Sequence, residues 1–204
     1  MTRDDLFDSI IPTTMTKLSN KKVQRKIDCI KKCGGICKTY ENDIEDLKDL
    51  GENSLKVIHE DTLCQKYKIE DKAKALTFIS TIAATLAVAL LTASSQTLVE
   101  EGYPRPIILA FCILCLLGLS YMVIAGANSI KIFTALIETR TYNYADRDPI
   151  TEYKKCIAFN RLMNIMRTNF LFSSFCCLRN SLLLLLFTCL IKTITSIALI
   201  YHCV

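Results

Sequence analysis

Residues 76–98 read LTFISTIAATLAVALLTASSQTL and residues 106–127 read PIILAFCILCLLGLSYMVIAGA, and neither stretch contains a charged side chain. A helix needs about 20 apolar residues to cross roughly 30 Å of hydrocarbon. In that solvent each backbone N–H must be paired within the segment. Two such stretches, joined only by VEEGYPR at 99–105, predict a transmembrane hairpin. Pro106 can occupy the first turn of the second helix, where its missing N–H costs nothing. Tyr103 suits the membrane–water boundary.

The side chains within the two spans predict how they pack. Thr77, Thr81 and Thr85 recur every four residues on one face of the first span, and Ala83, Ala84, Ala87 and Ala93 keep that helix slim. Gly118, Ala125 and Gly126 give the second span its own small-residue face. Small residues let transmembrane backbones approach closely, so these faces are expected to pack against protein, including further copies of the chain in a homo-oligomer.

A third apolar stretch, Ser181 to Tyr201, contains Lys192. Moving the window back to 169–191 exchanges that charge for Arg179. The leucines at 182–186 and the apolar tail at 194–200 still favour a third span. On a helix, Ser181, Thr188, Lys192, Thr195 and Ser196 share one face. Such a polar stripe inside a span suits a water path or an oligomer interface; equally, Lys192 could snorkel to a headgroup.

Outside these stretches the chain is charged. Residues 1–75 hold 15 Lys+Arg and 14 Asp+Glu. Residues 1–15 are expected to be a loose start, because Pro12-Thr13-Thr14 discourages an early helix. Residues 16–33 are helix-compatible, Gly34-Gly35 is a break, and 40–50 form an acidic, helix-prone run. No Gly or Pro interrupts 52–98, so one long helix is expected to stand out from the membrane and continue through it. A polar turn at Ala145-Asp146-Arg147-Asp148-Pro149 precedes a helix over 150–178. There Phe159, Met163, Met166 and Phe170 recur at spacings of three and four, a helix-packing seam about two heptads long.

The Lys/Arg distribution sets the expected orientation. Lys66, Lys68, Lys72 and Lys74 directly precede the first span, and the loop at 99–105 has one Arg against two Glu. Residues 131–180 carry eight Lys+Arg and four Asp+Glu, and the tail beyond Lys192 has none. Cytoplasmic loops carry the Lys/Arg excess, which places the N-terminus and residues 131–180 in the cytoplasm of a multi-pass protein of the cell membrane. The first apolar run follows a long charged region, so the first span is expected to act as the insertion signal, with no cleaved leader.

Other function classes find little support. The formal net charge is +5, with no basic cluster interleaved with aromatics as single-strand binders require, so no nucleic acid is expected as partner. Eleven cysteines suggest a disulfide scaffold at first sight. However, Cys112, Cys115, Cys176, Cys177 and Cys189 lie in or beside apolar runs, and most of the others fall in regions placed in a reducing compartment, so free thiols are expected. Cys29, Cys33 and Cys37, spaced by four, lack the paired spacing and later ligands of structural zinc, and no metal or other cofactor is expected. There is no phosphate-binding loop, nucleophile elbow or His-Glu-x-x-His, and the chain is not expected to be an enzyme. The acids at 41–52 read as a solvated face that could also meet the basic 150–167 region.

Glu70-Asp71-Lys72-Ala73 followed by Leu76-Thr77-Phe78-Ile79, together with Lys154-Lys155 through Arg167 and Arg179-Asn180 before the leucine run, resembles the SLATT-type and Pycsar-type transmembrane effectors of prokaryotic antiphage defence. In that group an acidic-x-Lys-Ala step precedes a two-helix hairpin, a cytosolic helical segment and often a further hydrophobic helix. The resemblance spans roughly residues 55–200. Glu70 stands where Asp is more usual, and the first 50 residues match nothing in the group, so no ligand-binding residue carries over.

The sequence therefore predicts an all-α membrane protein. Residues 1–51 form a charged cytosolic helical region, and 52–130 a long helix and hairpin. Residues 131–180 form a second cytosolic helical region and 181–204 a third spanning helix. The resemblance implies an effector that oligomerises and perturbs the bilayer when its cytosolic part is activated, by a nucleotide signal or a partner protein. The alternative is a passive anchor or scaffold presenting cytosolic helices to a partner.

Overall fold

A computed structural model of the chain describes residues 12–33, 42–100, 102–142 and 148–202. Four α-helices follow in order: α1 (Pro12–Cys33), α2 (Glu52–Glu100), α3 (Arg105–Thr134) and α4 (Pro149–His202), with a short 3-10 helix at Asn42–Leu47 between α1 and α2. Among the described residues there is no strand. The chain is all-α, and α2, α3 and α4 are each long and apolar enough to cross a bilayer. It is built as a multi-pass membrane protein.

The lengths decide the architecture. With a rise of 1.5 Å per residue, α2 and α4 run about 70 and 80 Å, more than twice the hydrocarbon thickness. Each is long enough to cross a membrane and project well beyond it. The expected unbroken helix over 52–98 is α2. For α4 the expected division near residue 180 is not a structural one: the helix passes through Arg179 and Asn180 without a break, because no Gly or Pro lies between 150 and 202.

Two local expectations are corrected. Pro12 starts α1 instead of delaying it. The first turn has no use for the missing N–H, and the Thr16 hydroxyl donates to Pro12 O at 2.8 Å. The acidic run forms a 3-10 helix six residues long, Asn42–Leu47, in place of a longer helix over 40–50. Residues 1–11 and the Gly34-Gly35 break lie outside the described residues.

The α2–α3 turn is built by its sequence. Gly102 has φ 72°, a left-handed conformation open to glycine at little cost. Its N–H donates to Val99 O at 3.2 Å, and the Tyr103 N–H to Leu98 O at 3.1 Å. These are the two hydrogen bonds of a Schellman motif, and Leu98 and Tyr103 pack in one buried cluster with Phe111 and Cys115.

The apolar core divides in two. The larger part, in what we term the head, joins Ile27 and Ile30 of α1, Leu47, Leu55 of α2, Leu136, and Tyr153, Ile157, Phe159, Leu162, Met163 and Met166 of α4. Along the spanning segments, burial is confined to small clusters such as Ala125 with Cys177 and Leu178. There, Phe78, Leu86, Leu109, Val123, Leu186 and Ile194 are each more than 60% exposed, an apolar rim suited to lipid.

Candidate functional site

Where the head meets the spans, a linked pair of side chains on α4, Arg167 and Asn164, ties three helices together. Arg167, on α4, is completely buried. Its Nε and Nη2 donate to Leu136 O at 3.1 and 2.7 Å, Nη2 also to Glu138 O at 2.9 Å, and Nη1 to Asn164 Oδ1 at 2.6 Å. Leu136 and Glu138 lie on the segment that follows α3, whose helical bonding ends with the Ala135 and Leu136 N–H groups on Lys131 O. Asn164 Nδ2 in turn donates to Thr62 O of α2 at 2.8 Å. One turn back, Asn160 brackets Arg140, accepting from its N–H at 3.0 Å and donating to its O at 2.9 Å.

A buried guanidinium must have its donors satisfied. Here backbone carbonyls and an amide oxygen do so. Burial pushes the Arg167 pKa below its ordinary value, while the charge of Glu70 opposes that shift. Glu70 itself faces Lys66 at 3.6 Å, both largely buried. Glu70 of the Glu70-Asp71-Lys72-Ala73 step singled out in the sequence therefore lies within electrostatic reach of this node and partly offsets the cost of its burial.

The polar side chains of α4 continue into the membrane part. Asn128 Nδ2 donates to Ser173 Oγ at 3.1 Å. The Ser181 hydroxyl donates to Gly118 O at 2.6 Å. Thr188 is buried and bonds its own helix at Leu184 O, as Thr195 does at Ile191 O. Lys192 Nζ lies 3.4 Å from Ser94 Oγ of α2, and Ser196 Oγ is 2.8 Å from the Tyr103 hydroxyl. The stripe of Ser181, Thr188, Lys192, Thr195 and Ser196 is thus brought together on one face, and that face is turned onto the α2–α3 hairpin of the same chain.

The small-residue faces separate into two sets. Gly118 and Ala125 look toward α4: a Cβ on Gly118 would meet Leu185 Cδ2 at 3.4 Å and Ser181 Oγ at 3.6 Å, and Ala125 packs with Cys177 and Leu178. Gly126 instead faces Ser80. With Thr77, Thr81 and Thr85 it lines an open groove of about 660 Å³ between α2 and α3. The three threonines bond back to their own helix at 2.9–3.0 Å, but Ser80, only 3% exposed, leaves its hydroxyl without a hydrogen-bond partner.

In the head, the seam residues Phe159, Met163 and Met166 are buried and Phe170 packs at the edge of the same cluster. Within this chain they are the core under α1 rather than an external face. Of the acidic run, Asp46 reaches Arg161 at 2.9 Å, and Asp49 and Glu52 are exposed. His59 is buried edge-on to Tyr153, its Nδ1 unpartnered. Burial lowers its pKa, against a smaller opposite effect of Glu60. Among the described residues no group of His, Cys, Asp and Glu is placed to hold a metal. Cys29 is half-buried, the Cys33 side chain is not described, and Cys37 lies outside the described residues.

No protein-family model, curated protein or solved structure matches this chain. Arg167 is the residue that reasoning from sequence missed. Its signal was present: Asn160, Asn164 and Arg167 run at spacings of four and three, one position beyond the Phe159, Met163 and Met166 seam.

Proposed function

We propose that this chain is a membrane effector whose cytoplasmic head controls the packing of its three spanning helices, and that activation of the head leads to oligomerisation and disturbance of the bilayer. The observation that carries this reading is mechanical. Both α2 and α4 run unbroken from head to membrane; at the junction Arg167 fastens α4 to the exit of α3 and Asn164 fastens it to α2. A change in head packing has a rigid route to the spans. In the resting arrangement the Lys192 stripe faces the hairpin of the same chain, with Ser181 and Thr188 buried, so presenting it elsewhere requires α4 to turn or withdraw. The groove at Thr77, Thr81, Thr85 and Gly126, with its unpartnered Ser80 hydroxyl, is the face we assign to the next copy, since close approach and interhelical hydrogen bonds drive association in lipid. The basic segments before the first span and between residues 131 and 180 support a cytoplasmic head. The likeness of Glu70-Asp71-Lys72-Ala73 and the hairpin layout to SLATT-type and Pycsar-type effectors supports a role in nucleotide-signalled antiphage defence.

The test is inducible expression in a bacterium, together with the flanking genes and under phage challenge, with a potential-sensitive dye. The expected result is loss of membrane potential in the wild type and its retention in Lys192→Leu at equal membrane level. An undisturbed potential in the wild type rejects the effector reading. One observation favours the alternative of a passive scaffold: every stripe residue already has a contact inside the chain, as a static bundle requires. A scaffold would leave the potential intact and be indifferent to Lys192→Leu.

A further inference from the structure

A second groove, distinct from the one assigned to self-association, lies between α2 and α4 where the spans begin. It holds about 440 Å³ and is lined by Ala75, Leu76 and Ile79 of α2 and Leu171, Phe172 and Phe175 of α4, with Lys72 and Thr168 at its head-side end. Its walls are almost wholly apolar, and Phe172 and Phe175 remain 59% and 56% exposed. Lys72 precedes the first span by one helical turn, about 6 Å, which is headgroup depth. Neighbouring lysines are engaged, Lys66 with Glu70 and Lys74 with Asp71. Among the described residues Lys72 has no ion pair or hydrogen bond, nor does Lys68 one turn further from the membrane. On α4, Arg179 follows Phe175 on the same face, and helical side chains lean back toward the helix N-terminus, here toward the same boundary.

We propose that this groove is a binding site for an anionic glycerophospholipid, with an acyl chain against Leu76, Ile79, Phe172 and Phe175 and the headgroup phosphate on Lys72. The wall chemistry discriminates against a protein helix as occupant. Transmembrane helix contacts favour Gly, Ala, Ser and Thr, and this groove presents Leu, Ile and Phe in a slot capped by an uncompensated cation. Basic pockets between spanning helices on the cytoplasmic side are suited to anionic headgroups. The inference rests on the membrane reading of α2 and α4, but not on the effector function. Because α2 and α4 both enter the head, a lipid wedged between them would hold the resting spacing of the two helices that the effector reading requires to change.

The chain has no tryptophan, so Phe172→Trp supplies a single reporter inside the groove, and Phe175→Trp a second should the first fold poorly. The full-length variant is reconstituted in phosphatidylcholine vesicles containing a minor fraction of either dibrominated phosphatidylglycerol or dibrominated phosphatidylcholine, and quenching is compared. One lysine near an anionic surface corresponds to about a five-fold preference, so phosphatidylglycerol is expected to quench about five times more effectively. Adding Lys72→Gln should abolish the difference. Lys56→Gln, which removes the same charge about 24 Å further from the membrane along α2, should leave it intact. Equal quenching by the two lipids, or equal loss of preference in both lysine variants, overturns the site while leaving the membrane reading in place. Absence of quenching by either lipid overturns the membrane reading as well.

Discussion

The head and the spanning bundle are made from the same helices and held together by different means. In the head, large apolar side chains from α1, α2 and α4 fill a core, and a buried arginine and two asparagines hydrogen-bond the backbone that passes beside it. In the bundle, close contacts are made by Gly118, Ala125 and Ser181 with small buried clusters around Phe111 and Leu178, and many of the large side chains point outward. The difference follows from solvent. Water drives Phe159 or Met163 inward at about 25 cal/mol per Å² of apolar surface. Lipid offers Leu186 no such incentive, leaving shape and a few hydrogen bonds to hold helices together. One molecule thus contains a part that tolerates small misfits and fails when a polar node is cut, and a part that tolerates loss of a hydrogen bond and fails when a close approach is blocked.

The sharpest way to break this contrast is at the node. Arg167→Met keeps much of the volume but leaves Leu136 O, Glu138 O and Asn164 Oδ1 short of donors. With about 1–3 kcal/mol for each buried group left unsatisfied, a loss of about 3 kcal/mol or more is expected. It should appear as a lowered denaturant midpoint of the detergent-solubilised protein and as faster proteolysis of the head. A cost below that of a surface substitution would show that the guanidinium is not what fastens α3 to α4.

The counterpart in the bundle is Gly118. Alanine there would place its Cβ 3.4 Å from Leu185 Cδ2, ordinary contact, and should be close to neutral. Leucine cannot be accommodated without moving α4. Overpacking of this kind costs about 1–3 kcal/mol, and thermal unfolding in detergent should rank the variants wild type, alanine, leucine. If leucine proves as stable as glycine, α4 does not lie as close to α3 as Ser181 Oγ on Gly118 O requires.

The same division in solvent explains what could be read from the sequence. The spans were legible because hydrocarbon thickness imposes a length and forbids charges: the hairpin follows from 76–98 and 106–127, and the length of α2 from the absence of Gly and Pro over 52–98. The seam of Phe159, Met163 and Met166 was legible as a periodicity, but its partner was not: nothing in the spacing says that α1 covers it. Pro12 misled because its effect depends on whether it stands before a helix or at its first turn. The polar stripe is legible in the sequence as residues sharing one face of a helix. That it is turned onto Ser94, Tyr103 and Gly118 depends on how α4 is rotated in the bundle, which no local pattern encodes. The spacing of Asn160, Asn164 and Arg167 marks a polar stripe beside the seam, but what Arg167 binds is not legible, since its partners include backbone carbonyls about 30 residues away and a carbonyl leaves no mark in a sequence.

The smallest expected effect concerns proton uptake, and it tests whether the head alone is pH-sensitive. His59 is buried with an unpartnered Nδ1 and its pKa is lowered, chiefly by burial, so the folded head binds a proton less readily than the unfolded chain, whose histidine titrates near the ordinary value of about 6.5. Above that pH both states are neutral and nothing is lost. Below it the unfolded state takes up the proton first, so stability falls as pH drops from about 6.5 toward the lower folded value. The slope for one proton is at most about 1.4 kcal/mol per pH unit. His59→Phe, which keeps an edge-on ring for Tyr153, should remove this component of the pH dependence between 7.5 and 5.5 while leaving the bundle variants at Gly118 ranked as before. A full pH response in His59→Phe would remove histidine from the account.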